Sequence, residues 1–139
     1  MDLRVRTRTV NGATVVGVAG EVELHSARQL RAELLQACSG ECPCVVVDLS
    51  AVSFIDSSGI GVIVGALKRA RERGGSLVLV SPQPRVRRIF EITGLLGALP
   101  FYDAIDGAIA ACTRGTQQAT TQQPTNDIPT GNPAEEKAK

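Results

Sequence analysis

The sequence predicts a mixed α/β domain over residues 1–112 and a disordered tail over residues 113–139. Short runs rich in Val, Ile and Thr alternate with longer segments whose apolar residues recur at helical spacing. Two of the short runs, "CVVVDLS" from Cys44 and "SLVLV" from Ser76, are apolar on both faces. Strands buried within a helix-covered sheet read that way. After Cys112 the composition turns to Thr, Gln, Pro, Asn and Gly, with Ile128 the single large aliphatic residue. A segment of that kind cannot offset its ordering entropy by burial.

In chain order, "LRVRTRTV" (Leu3–Val10) alternates strictly, with Arg4, Arg6 and Arg8 on one face and Leu3, Val5, Thr7 and Thr9 on the other. Asn11-Gly12 is a strong hairpin signal, and "ATVVGVAG" is the returning strand. Ala27, Leu30, Leu34 and Ala37 form a helical stripe within Ser26–Cys38. The strand from Cys44 follows, then the loop "FIDSSG", then Ile60, Ile63, Val64 and Leu67 at helical spacing. That helix closes in "KRARERGG", where basic residues suit the dipole and glycines end the helix. "SLVLV" is broken by Pro82 and Pro84, and "RVRRIFEITG" makes a third helix with Val86, Ile89 and Phe90 inward and Gly94 as its stop. A short strand at Leu99–Phe101 and a helix from Ala104 to Cys112 complete the order ββαβαβα(β)α. The parallel part of such a sheet needs helical crossovers, and the sequence supplies them.

Composition narrows the function classes. The 139 residues are 43% hydrophobic and 21% charged, enough for one domain with a real core. Fifteen basic and fourteen acidic side chains give a net charge of +1, which offers no global attraction to nucleic acid or to an acidic membrane. Aromatics are 3% and Trp is absent, so stacking platforms for bases or sugars are not expected. No run approaches the ~20 apolar residues of a membrane span, and the expected location is the cytoplasm. Cys38, Cys42, Cys44 and Cys112 fit no common zinc spacing, and His25 is the only histidine. They are read as shielded thiols, with no metal or cofactor expected.

The functional question lies in "FIDSSGIGVIVG", Phe54–Gly65. Ser57 and Ser58 could cap the helix. As a nucleophile either serine would need a neighbouring base and commonly a G-x-S-x-G elbow, and neither is present. The glycines at 59, 61 and 65 miss both phosphate-loop patterns, and no lysine stands at the loop. A serine here could instead receive a phosphate, since a loop hydroxyl at a helix start is accessible and the added charge alters a contact surface. Physics alone permits this and does not select it.

The stretch "VVVDLSAVSFIDSSGIGVIVGALKRARERGGSLVLV", followed by "RRIFEITGL" and preceded by "GEVELHSARQLRAEL", resembles the bacterial anti-sigma factor antagonists built on the STAS domain, in particular the BldG type of filamentous actinobacteria. The resemblance covers Met1 to Ala111. It implies a STAS-type fold and a regulator, not an enzyme. The unphosphorylated form would bind an anti-sigma factor that is also a serine kinase, and so release a sigma factor. A serine phosphatase would return the phosphorylated form to the unphosphorylated, binding-competent one. The resemblance puts the phosphorylated serine at Ser57, with Ser58 as cap or support and Asp56 as the motif aspartate. It implies a partner surface of Glu21, Glu23, His25, Phe54, Asp56, Ser57, Ser58, Gly59 and Ile60. Family members more often carry Asp where this chain has Glu23, which bears on contact detail. The expected state is a monomer or weak dimer, with no nucleic acid or membrane partner. The alternatives are a STAS-fold scaffold and a nucleotide-binding regulator without a phospho-switch. Neither membrane spans nor a long preceding sensory segment is present to favour a scaffold or transporter role.

Overall fold

The structure, a computed structural model, describes residues 2–80, 83–92, 94 and 99–121. Strand β1 (Arg4–Val10) turns into β2 (Ala13–Val22), and α1 (Ala27–Ala37) leads to β3 (Cys44–Ile55). Helix α2 (Ser57–Glu72), β4 (Ser76–Val80), α3 (Pro84–Ile92), β5 (Phe101–Tyr102) and α4 (Ile105–Thr121) follow. The five strands form one sheet in the order β1-β2-β3-β4-β5. Only the β1–β2 pair is antiparallel. Its turn has Asn11 and Gly12 at φ 50° and 84°, the left-handed pair that a tight hairpin requires.

Helices cover both faces. Leu30 and Leu34 of α1, Ile60, Ile63 and Leu67 of α2, and Val86 and Phe90 of α3 pack with Val45, Val47 and Leu49 of β3 on one side. On the other side Ala108, Ile109 and Cys112 of α4 meet Ala13, Val15, Cys44, Val46 and Val78. Alternate residues of β3 therefore feed two cores, which is why the strand reads as continuously apolar. Each large side chain so buried stabilises the fold by roughly 1.5–3 kcal/mol. The front core fixes the start of α2 against the sheet.

Element order matches the sequence expectation, and several boundaries differ. Strand β3 runs five residues past Ser50, with Val52 and Ile55 buried and Ser53 and Phe54 exposed, and register shifts against β2 between Gly17 and Ala19 and between Gly20 and Glu21 interrupt the strict alternation there. The short last strand falls at Phe101–Tyr102, with Leu99 buried just before it. Helix α4 continues beyond Cys112 to Thr121, into the segment read as tail. Extending an established helix needs no apolar residues, only the absence of a breaker, and the next proline is Pro124. The Thr113 hydroxyl also donates back to the Ile109 carbonyl. Pro82 and the tail past Thr121 lie outside the described residues.

Candidate functional site at the carboxyl ends of β2 and β3

The parallel register of β2 and β3 sets Glu21 beside Phe54 and Val22 beside Ile55. The segments that leave these strands, 23–26 and 56–58, are thereby brought together. The Asp56 N–H donates to the Val22 carbonyl at 3.0 Å and ties the second segment to the first. Each segment then leads into a helix, and a carboxylate caps the start of α2.

At α2 the cap is Asp56. Its backbone is extended, and its Oδ1 accepts from the N–H groups of Ser58 (2.9 Å) and Gly59 (3.2 Å). The sequence reading allowed a serine cap, with Ser58 favoured. The structure corrects this, since a carboxylate one residue earlier reaches both donors with charge-assisted bonds. Ser57 is consequently the first helical residue, and it is exposed. Among the described residues its hydroxyl has no hydrogen-bond partner, and Ser58 is half-buried.

Gly59 and Ile60, expected at the partner surface, are buried. Gly59 is buried, and a Cβ there would lie 2.5 Å from Val22 Cγ1 and 2.7 Å from Ile55 Cγ1. The helix can nest against both strand ends only because this position lacks a side chain. Ile60, 7% exposed, points into the core. Both hold Ser57 in place from beneath.

In the turn ahead of α1, Glu23 and Ser26 form a reciprocal pair. Glu23 Oε1 accepts from the Ser26 N–H at 2.9 Å, and Ser26 Oγ accepts from the Glu23 N–H at 3.0 Å. The Ser26 hydroxyl also donates to the Glu21 carbonyl at 2.9 Å. This is capping-box chemistry, with the acid first and the serine fourth. Glu23 thus holds the turn ahead of α1 through the Ser26 N–H. His25 is exposed, as expected.

One surface residue was absent from the expected set. Leu24 is 69% exposed, and Phe54 on the adjacent strand end is 43% exposed. Two large apolar side chains left in water, on the segments that leave β2 and end β3, form a surface suited to a protein partner. The sequence held a faint signal for Leu24, an apolar residue between Glu23 and Ser26, but alternation along β2 does not show which way it faces. Among the described residues no group of three or more His, Cys, Asp or Glu side chains could hold a metal ion. No helix among them is long and apolar enough to cross a membrane.

Residues 4–108 match the STAS domain. The chain belongs to the STAS-domain family. Its relatives include the anti-sigma F factor antagonist of Paenibacillus polymyxa, 31% identical over 104 residues that span 74% of this chain and 89% of that protein. The anti-sigma-B factor antagonist of Bacillus subtilis is 32% identical over 109 residues, 78% of this chain and 99% of that protein. Among solved structures, an anti-sigma factor antagonist from Mycobacterium paratuberculosis aligns with a TM-score of 0.73 at 27% identity, over 81% of this chain and 95% of that one. This STAS domain therefore matches those regulators over most of their length, as the resemblance of its loop and flanking strands implied.

Proposed function

We propose that this STAS domain is an anti-sigma factor antagonist whose binding is switched off by phosphorylation of Ser57. The observation that carries the switch is the division of labour at the start of α2. Asp56 already occupies the Ser58 and Gly59 N–H groups, so the exposed Ser57 hydroxyl has no structural duty. A phosphate added there finds those two donors taken and stands out as surface charge of about −1.5 to −2. It stands next to Asp56, on a surface where Leu24 and Phe54 are exposed for apolar contact. Burying a dianion against a partner that lacks a matching cation costs several kcal/mol, so binding falls by roughly 100-fold or more.

The chain supplies a substrate hydroxyl and a contact surface, with no catalytic group of its own. The partner is an anti-sigma factor with ATP-dependent serine kinase activity, and a serine phosphatase reverses the mark in the cytoplasm. Matches that span 89% and 99% of two named antagonists of anti-sigma factors support the partner class. The BldG type, carried by the sequence resemblance, fits a regulator of this kind. The test is to incubate the full chain with ATP and the anti-sigma factor that copurifies with it. Intact mass should show a single phosphate, and fragmentation should place it on Ser57. Phosphate on Ser58 with Ser57 unmodified would reject the assignment.

A further inference from the structure

The four cysteines suggest nothing by spacing, yet the fold brings two of them together from 68 residues apart in sequence, Cys44 and Cys112. Cys44 opens β3 and pairs with Ser76 in the β3–β4 ladder. Cys112 on α4 lies above that pair, its Sγ 3.1 Å from Ser76 Oγ, 3.6 Å from the Ser76 carbonyl and 3.7 Å from the Val45 carbonyl. Both cysteines are buried in the core between α4 and the sheet. They are unlike Cys38, whose thiol donates to the Ala66 carbonyl and is pushed up to about 11 by burial. We propose that Cys44 and Cys112 form an oxidative modification site, at which a small peroxide converts the two thiols into a disulfide that fastens α4 to the start of β3.

The chemistry balances without a further reactant. The Cys112 sulfur attacks one peroxide oxygen, the O–O bond breaks, and a sulfenic acid and one water form. The Cys44 sulfur then attacks the sulfenic sulfur, the S–O bond breaks, and the oxygen leaves as a second water carrying the remaining protons. Two thiols and one hydrogen peroxide give one disulfide and two waters. Cys112 is assigned the first attack: its Sγ lies 3.1 Å from the Ser76 hydroxyl, and the neighbouring Cys44 and Ser76 side chains lower its pKa against the effect of burial, whereas Cys112 and burial raise that of Cys44. The thiolate forms more readily on Cys112. Relative exposures of 6% for Cys44 and 1% for Cys112 exclude bulky reagents, so the oxidant is a peroxide and not a glutathione disulfide.

The test uses the folded full chain, treated with hydrogen peroxide, blocked with an alkylating reagent and mapped without reduction. The expected product is 2 Da lighter than the reduced chain, carries a Cys44–Cys112 linked peptide, reverts with dithiothreitol and melts several degrees higher. Oxidised glutathione should leave the pair reduced. Cys44→Ser should accumulate a sulfenic acid at Cys112, trapped by dimedone added as the chain is unfolded, and Cys112→Ser should show none at Cys44. Linkage through Cys38 or Cys42, or a Cys44–Cys112 link that forms only in denaturant, would overturn the proposal. Because the mapping is done on the unmutated chain, a folding defect in either variant leaves the main outcome readable.

Discussion

At the start of α2 three adjacent residues could each have capped the helix, and the geometry gives the task to Asp56 alone. Asp56→Ala removes the acceptor for two backbone N–H groups and should cost about 1–2 kcal/mol of stability in urea unfolding. Ser58→Ala removes a hydroxyl with no bond among the described residues, and its effect should stay within about 0.5 kcal/mol. A larger loss for Ser58→Ala than for Asp56→Ala would reverse the cap assignment. Gly59→Ala forces a methyl group against Val22 and Ile55 and should destabilise by about 1–3 kcal/mol. Sequence alone could not settle these roles. Asp and Ser are comparable caps, and the choice depends on the extended backbone of Asp56, fixed by its bond to Val22 of another strand. The same holds for Glu23, whose bond to the Ser26 N–H depends on the turn that returns Ser26 to it.

Among the elements, α2 carries two glycines that the fold does not require. Gly61 and Gly65 are exposed, and a Cβ at either would meet nothing within 4 Å. Glycine within a helix costs about 0.5–1 kcal/mol relative to alanine. Gly61→Ala and Gly65→Ala should therefore each raise stability by about that much. They follow Ser57 at four-residue intervals, on one face of the helix. If α2 lies against the anti-sigma factor, the same stabilising changes should weaken binding, measured by titration calorimetry. Unchanged affinity would move the contact off this helix face. Element order and type were legible because β3 and β4 read as doubly apolar strands and α1, α2 and α3 as apolar stripes. Boundaries were less so. "SAVSFI" looks like loop until Val52 and Ile55 are seen to face the core. Helix α4 outlasts its apolar stripe because the residues after Cys112 can propagate a helix without packing it. Pairing of Cys44 with Cys112 was beyond reach, since it depends on where α4 crosses the sheet.

On the scale of the molecule, the two ends of β3 separate the functions. Twelve residues carry the chain from Cys44 beside Cys112 to Ile55 beside Ser57, about 35–40 Å along the strand. A chain stopped after Thr121 should keep its melting temperature within a degree or two and its partner affinity within about twofold, and a larger drop in either would show the tail docked on the domain. The charge switch makes a paired demand on the whole protein. With Asp56 occupying the cap, the phosphate acts on the partner and not on the fold. The direct measurement compares the stoichiometrically Ser57-phosphorylated chain with the unmodified one, by melting temperature and by calorimetric affinity for the anti-sigma factor. The melting temperature should move by no more than about two degrees while the affinity falls roughly 100-fold or more, with Ser57→Ala binding like the unmodified chain. Full phosphorylation that leaves the affinity unchanged, or that abolishes binding only by unfolding the domain, would contradict the switch.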